Sequence, residues 1–214
     1  METRGQPPRR IKHAVILCHP DPNSFNAAVA KRYCTTVEAM GHEVSLRDLY
    51  RMRFDPVLKA EERPTASDFM LGGDVAEELA ILSGAHIFVF VYPIWFGLPP
   101  AMLKGYVERV LGAGFSFRSA HDRTTHPFLT GRRLLSFSSS GTSRPWLEEQ
   151  GAWTSLRTIF DDYLRRAFSL EGADHVHFAS IVDGLAPRYV EEHLFEVEQT
   201  ARALCAKVSQ PVSP

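Results

Sequence analysis

HIFVFVY (86–92) is apolar at almost every position and lies between two stretches of helical periodicity. A half-buried strand alternates apolar with polar residues, because successive side chains point to opposite faces. A strand with apolar side chains on both faces has to be covered on both sides, as the central strand of a parallel sheet is when helices flank it. That run therefore predicts a layered α/β chain.

The neighbouring segments agree. HAVILCH (13–19) is a short apolar run stopped by Pro20-Asp21-Pro22, and FNAAVAKRYCTTVEAM (25–40) has helical spacing that ends at Gly41, a natural C-cap. HEVSLRDL (42–49) alternates like a strand, and a helix is expected near 68–83. Pro99 and Pro100 suit the first turn of a further helix, where an N–H has no intrahelical use. That helix runs through Leu111 with Met102, Leu103, Tyr106, Val107 and Val110 inward. RRLLSFSSSG (132–141) reads as the fourth strand, 150–170 as a helix, HVHFASI (175–181) as the fifth strand and 187–208 as a closing helix. Helical crossovers between parallel strands are right-handed, which leaves few topologies. The expected architecture is α/β: a flavodoxin-like, doubly wound five-stranded parallel sheet with helices on both faces. It spans one domain, 13–210, after a flexible N-terminal arm, 1–12, with 112–131 as an excursion.

Charge and cysteine content narrow the classes. With 24 basic and 25 acidic residues, the chain has no broad positive field for nucleic acid and no acidic excess of a docking electron carrier. Cys18, Cys34 and Cys205 show no CxxC spacing and read as free thiols of a reducing compartment. No segment is long and apolar enough to span a bilayer. METRGQPPRRIK lacks the apolar stretch of a secretory signal, so the expected location is cytoplasmic.

In an open α/β sheet, ligands bind beyond the carboxyl ends of the strands, where strand order reverses. Three loops qualify, and they are the least ordinary stretches of the chain: HPDPNSFN after the first strand, YPIWFGLPP after the third and SSSGTSRPW after the fourth. Ser24 or Asn23 can cap the helix that begins beside Phe25 and Asn26. Its uncovered amides and positive dipole end would suit phosphate, with His19 as a further donor. Trp95 and Phe96 lie in a turn with a glycine, so they either plug the core or wall a flat aromatic ligand. Ser138, Ser139, Ser140 and Gly141 let backbone approach a ligand closely. No GxxxxGK[ST] or strand-borne GxGxxG occurs, and Gly112-Ala113-Gly114 follows a helix instead of opening one.

These residues resemble the NAD(P)H:quinone oxidoreductase family, whose signatures look like H-x-x-P-x-S-F-N and P-x-x-W-F-G-x-P-x-x-L-K-G-x-x-E-R-V. They stand here as His19–Asn26 and Pro93–Val110, and RDLYRMRFDPVL (47–58) is also similar to the segment after the second strand. The resemblance implies a bound flavin, FAD with FMN as the alternative, and NAD(P)H as co-substrate. By resemblance, His19, Ser24, Phe25 and Asn26 would touch phosphate and ribityl groups. Pro93, Ile94, Trp95 and Phe96 would border the ring, and Ser138, Ser139, Ser140 and Gly141 would meet its pyrimidine side. It further implies ping-pong transfer to a quinone or similar small acceptor, and a homodimer in which Phe115 or Phe117 forms part of the neighbouring subunit's substrate wall. Where the family has a catalytic tyrosine and then a histidine, this chain has Trp146 and, by spacing, Ala152 or Trp153. An indole donates one hydrogen bond but does not exchange protons as a phenol does. Two alternatives stand beside this reading: a regulatory ancillary subunit of a potassium-efflux system, and a one-electron carrier of flavodoxin type.

Other polar residues read as structural. His175 and His177 share one face of a strand but have no third ligand, so no metal site is expected. Asp161 and Asp162 point apart on a helix as a solvated face, and His121 and His126 read as parts of a polar loop.

Overall fold

The computed structural model describes residues 10–122 and 125–209. Strands β1 (Lys12–Leu17), β2 (Glu43–Asp48), β3 (Ile87–Pro93), β4 (Arg133–Ser139) and β5 (Gly172–Phe178) form one parallel sheet in the order β2-β1-β3-β4-β5. The strand apolar on both faces, β3, is central, and all of its residues are buried. Helices α1 (Phe25–Ala39), α2 (Gly73–Leu82), α3 (Ala101–Tyr106), α4 (Phe117–His121), α5 (Arg144–Glu149), α6 (Ala152–Leu156), α7 (Asp162–Ala167) and α8 (Pro187–Ser209) lie between and after the strands.

The pleat divides the interior into two cores. On one face, Val15, Val89 and Val91 pack against Val29, Tyr33 and Val37 of α1 and Val197 and Ala201 of α8. On the other, Ile16, Phe88, Phe90 and Tyr92 meet Val75 of α2, Leu103 and Tyr106 of α3, and Leu156 and Leu164 of α6 and α7. Each such side chain contributes about 1.5–3 kcal/mol by leaving water. Gly105 shows how tightly α3 is seated: a Cβ there would stand 2.2 Å from the Pro56 carbonyl oxygen, so only glycine fits.

Several boundaries differ from the sequence reading, each for a local reason. Ile11 is buried and Lys12 already pairs with Glu43, so the sheet claims the end of the segment assigned to the arm. Residues 1–9 of that arm lie outside the described residues. Helix α2 begins at Gly73, not near 68. The fifth strand begins at Gly172 and ends at Phe178, because Gly172 pairs with Arg133 and the chain then turns away through Ser180 at φ 57°. The helix expected over 150–170 is α6 and α7, with the short α5 just before it. Gly151, left-handed at φ 65°, separates α5 from α6, and a π-helical turn, Arg157–Asp161, joins α6 to α7. His126 is interior: one ring nitrogen lies 2.9 Å from the Leu111 carbonyl, and the other accepts the amides of Phe128 and Leu129. It anchors the excursion, and burial lowers its pKa.

A buried ionic clamp fixes the long β2–α2 connection to the α3 side. Arg109, on the π-helical turn Val107–Leu111 that continues α3, donates to both Glu62 carboxylate oxygens at 2.6 and 2.8 Å. It also donates to both Asp74 oxygens and to the Asp55 carbonyl. The Arg109 and Glu62 side chains are 2% and 3% exposed, so neither charge can be solvated if the other is removed. Arg109→Met should therefore lower unfolding free energy by about 3–5 kcal/mol, read as a fall in denaturation midpoint. Hydrogen bonds from Arg109 hold Glu62 and Asp74 below the ordinary carboxylate range. Their stabilisation is thus complete above that range and lost as pH falls through it towards the depressed folded values. The acid limb of the stability profile should be shallower in Arg109→Met than in wild type.

Candidate functional site

The carboxyl ends of the parallel strands open on a cavity of about 500 Å³. That size falls within the range of small-molecule sites. Its first wall is the entry to α1. Ser24 sits at the N-cap with extended backbone (φ −65°, ψ 160°), and its Oγ accepts from the Ala27 amide at 3.2 Å. The amides of Phe25 and Asn26 are in the first turn, where no intrahelical acceptor exists, so the positive end of a 15-residue helix faces the cavity. The Asp21 carboxylate accepts from the Asn23 amide, which holds the turn in shape.

The second wall is the aromatic turn. Trp95 and Leu98 exchange backbone hydrogen bonds at 3.0 and 3.2 Å across Phe96 and Gly97, which both have positive φ (50° and 83°). This is the primed two-residue turn that glycine favours and phenylalanine does not. Ile94 is held to β4 through its amide and the Ser139 carbonyl at 2.7 Å. Trp95 lines the cavity at 40% exposure, with its ring 5.9 Å from His19, while Phe96 is fully exposed and lies outside the lining. Neither ring fills the core, so the plug alternative fails for this chain.

The third wall is the end of β4. Asn26, buried, donates its amide to Ser139 Oγ at 3.0 Å, and the Ser139 hydroxyl lies 2.7 Å from Asn26 Oδ1. One pair of side chains thus ties the start of α1 to the end of β4 across the floor. Ser140 and Gly141 continue that floor.

The structure brings together His19, Ser24, Phe25, Asn26, Pro93, Ile94, Trp95, Ser139, Ser140 and Gly141 around this one cavity. Ser138 and Phe96 are not among its walls. Ser138 is the residue of β4 that points to the opposite face, as the period of two requires, and it meets His175 and His177 there. Trp146 is half-exposed on α5 and outside the lining. Phe115 borders a different cavity, of about 400 Å³, with Phe160 and Tyr163, so it does not wall this site on its own subunit. The Phe117 side chain lies outside what is described.

A fourth wall escaped sequence reading. Ile181, Val182, Gly184 and Leu185, between β5 and α8, close the cavity opposite the aromatic turn. Amides of Ser180 and Ile181 donate to the carbonyls of Thr142 and Ser140, at 3.0 and 2.9 Å, and tie this loop to the floor. It too follows a parallel strand, and placing the fifth strand at 175–181 hid it. Asp161 is a further correction: it is fully buried, 2.6 Å from His175 Nδ1, and not part of a solvated face.

A family model of the flavodoxin-like fold matches residues 11–208, and the chain belongs to that family. Within it, the chain groups with enzymes of the NAD(P)H:quinone oxidoreductase kind. It is 31% identical over 169 residues to an uncharacterized NAD(P)H oxidoreductase of Haemophilus influenzae, covering 78% of this chain and 82% of that protein. It is 32% identical over 166 residues to NAD(P)H dehydrogenase [quinone] 1 of Rattus norvegicus, covering 69% of this chain and 57% of that longer protein. An NAD(P)H:quinone oxidoreductase structure from Methanothermobacter marburgensis superposes with a TM-score of 0.76 at 23% identity, over 92% of this chain and 96% of the other. An FMN-dependent NADH-azoreductase from Bacillus anthracis, solved with FMN, gives 0.68 at 19%, over 91% and 99%. At those identities the two structures establish likeness of fold. No described helix is long and apolar enough to cross a membrane.

The Asn26–Ser139 pair yields a direct prediction. Asn26→Ala leaves a buried hydroxyl without its amide partner and should cost about 1–3 kcal/mol in unfolding free energy. Ser139→Ala together with it should cost less than the sum of the two single changes, as a double-mutant cycle on thermal or denaturant unfolding would show.

Proposed function

We propose that the protein is a flavin-dependent oxidoreductase that carries a hydride equivalent from NAD(P)H to a quinone or similar small acceptor, with donor and acceptor visiting one cavity in turn. The observation that carries this reading is the convergence on one cavity of three unlike surfaces: a capped helix N-terminus, an indole in a primed turn, and a floor of hydroxyl and amide groups. That donor set fits an anionic phosphate joined to a flat, polar-edged ring. A flavin, when bound, supplies the two-electron chemistry, while the protein binds, orients and excludes water.

Each wall then has a task. First-turn amides of α1 and the Ser24 cap hold phosphate. Pro93, Ile94 and Trp95 border the ring and keep water from one side, and Ser139, Ser140 and Gly141 face its polar edge. His19, resting against Trp95, keeps the indole upright. Holding both reactants in turn against a fixed surface lowers the barrier by orientation. FAD is the flavin this reading expects, and the FMN in the Bacillus anthracis relative makes FMN the other outcome.

The aromatic turn also supports pairing with a second copy of the chain. Phe96, left-handed and fully exposed, gains nothing from the isolated subunit, and Trp95 and Leu98 in the same turn are 40% and 46% exposed. Exposed apolar clusters of this kind mark interaction surfaces. In a homodimer Phe115 would form part of the neighbouring subunit's substrate wall, which is the role proposed for it.

The first test is the purified protein itself: it should be yellow, and mass analysis of the released chromophore should return FAD or FMN. Trp95→Ala should lower flavin retention while changing unfolding free energy by no more than about 0.5 kcal/mol, since the side chain is outside the core. An unchanged holoprotein would remove the indole from the site.

A further inference from the structure

Beneath the cavity floor lies a second polar assembly that the proposed chemistry leaves unused. Ser136 and Ser138 of β4 point away from α1 into a core otherwise lined by Tyr92, Leu156 and Phe160. Polar groups there bond to one another as a connected set. Ser136 Oγ donates to Asp161 Oδ1 at 3.0 Å, and His175 Nδ1 lies 2.6 Å from Asp161 Oδ2. His175 Nε2 is 2.6 Å from Ser138 Oγ, which is 2.8 Å from His177 Nδ1. His177 Nε2 is 3.1 Å from Ser140 Oγ, and Ser140 lines the cavity. Asp161 ends the π-helical turn before α7, an irregularity that frequently marks functional positions.

Counting hydrogens orients the chain. A carboxylate accepts only, so His175 gives its Nδ1–H to Asp161, and with that ring neutral its Nε2 accepts from Ser138. Ser138 has then spent its one hydrogen and accepts from His177 Nδ1–H. His177 Nε2 faces Ser140, whose single hydrogen has two acceptors in reach: that nitrogen and the Thr142 carbonyl at 3.2 Å. Two fully bonded states result. With His177 neutral, the Ser140 hydroxyl points at Nε2. With His177 protonated, Nε2–H donates to Ser140 Oγ and the hydroxyl turns to Thr142. No heavy atom has to move.

The groups around His177 hold it in the first state while the cavity carries no added negative charge. Burial above all, with the Arg144 charge adding to it, pushes its pKa down. Arg144 and Arg157 lie over the Trp153 ring, which packs on both histidines, and Glu148 pairs with Arg144 at 2.8 Å. Arg157 also stands 3.6 Å from Asp161, and the Tyr92 ring meets His175 edge-on.

We infer that the chain Asp161–His175–Ser138–His177–Ser140 is a proton reservoir for the cavity, in which His177 binds one proton when negative charge arrives above Ser140 and releases it when that charge leaves. This rests on the oxidoreductase reading, in which electrons enter the cavity as a pair. The proton comes from solvent in the cavity mouth and forms one N–H bond at Nε2; no other covalent bond changes. Uptake leaves a cation at one end of the chain and the Asp161 carboxylate at the other, so the buried network carries no net charge. His177 does not line the cavity and acts through Ser140, which makes it a positioning residue. Asp161 and His175 act one step further back, by selecting its tautomer.

Histidine nitrogen NMR on the flavin-loaded wild type should find His177 neutral, with hydrogen on Nδ1, while the flavin is oxidised, and doubly protonated after reduction. In His177→Asn, the midpoint potential of the bound flavin should depend less on pH, with uptake falling by about one proton per electron pair. A His177 that stays neutral in both redox states, or coincident pH slopes for wild type and variant, would overturn the reservoir alone. Protein that binds no flavin would overturn the underlying reading together with it. The wild-type measurement stands even if His177→Asn does not fold.

Discussion

A strand buried on both faces cannot be joined to a parallel neighbour by a hairpin; the chain has to return along the whole length of the sheet before it can pair again. Everything else in this molecule depends on that constraint at β3. Because each return path is a helix, every strand ends at the same edge, and the loops that follow β1, β3, β4 and β5 are forced together there. The helix that follows β1 must begin at that edge too, which aims its amides into the space between the loops. The cavity is thus a consequence of connectivity, and its chemistry is written into the loops that connectivity assembles.

The pleat adds a second level of order. Adjacent serines of β4 serve different structures because they face opposite ways: Ser139 ties the floor to α1, and Ser138 bridges two histidines on the far face. The sheet therefore separates a solvent-accessible cavity from a dry hydrogen-bonded chain and touches both through Ser140. The same principle of paired burial governs the charges elsewhere. Arg109 with Glu62, and Arg47 with Glu78 and the Tyr106 hydroxyl, sit in low-dielectric surroundings that no unpaired member could tolerate. The first holds the long connection before α2 against α3, and the second ties α2 to β2 and α3.

Most of the cavity was readable because its parts are local. A cap such as Ser24 and an aromatic–glycine turn are defined by a few consecutive residues, and the rule that sites lie beyond strand ends needs only the order of elements. What failed was information carried across the sheet. Whether β5 begins at Gly172 or His175 is settled by its pairing with Arg133, not by its own pattern, and the error concealed the Ile181–Leu185 wall. Asp161 and Asp162 do point apart, as helical spacing demands, but only the packed structure shows that one of them points inward at His175. Phe96 was drawn to the ligand with its neighbour, whereas the primed turn rotates it outward.

The sequence alone determined the layered parallel sheet, the edge at which the cavity opens and the residues that form three of its walls, because periodicity and turn chemistry are short-range. The tertiary structure alone decided which serine faces which core, which carboxylate is buried and which histidines are linked. Those outcomes depend on register and on contacts between segments far apart in the chain, where the free energy of burying a polar group is set by a partner that local sequence does not name.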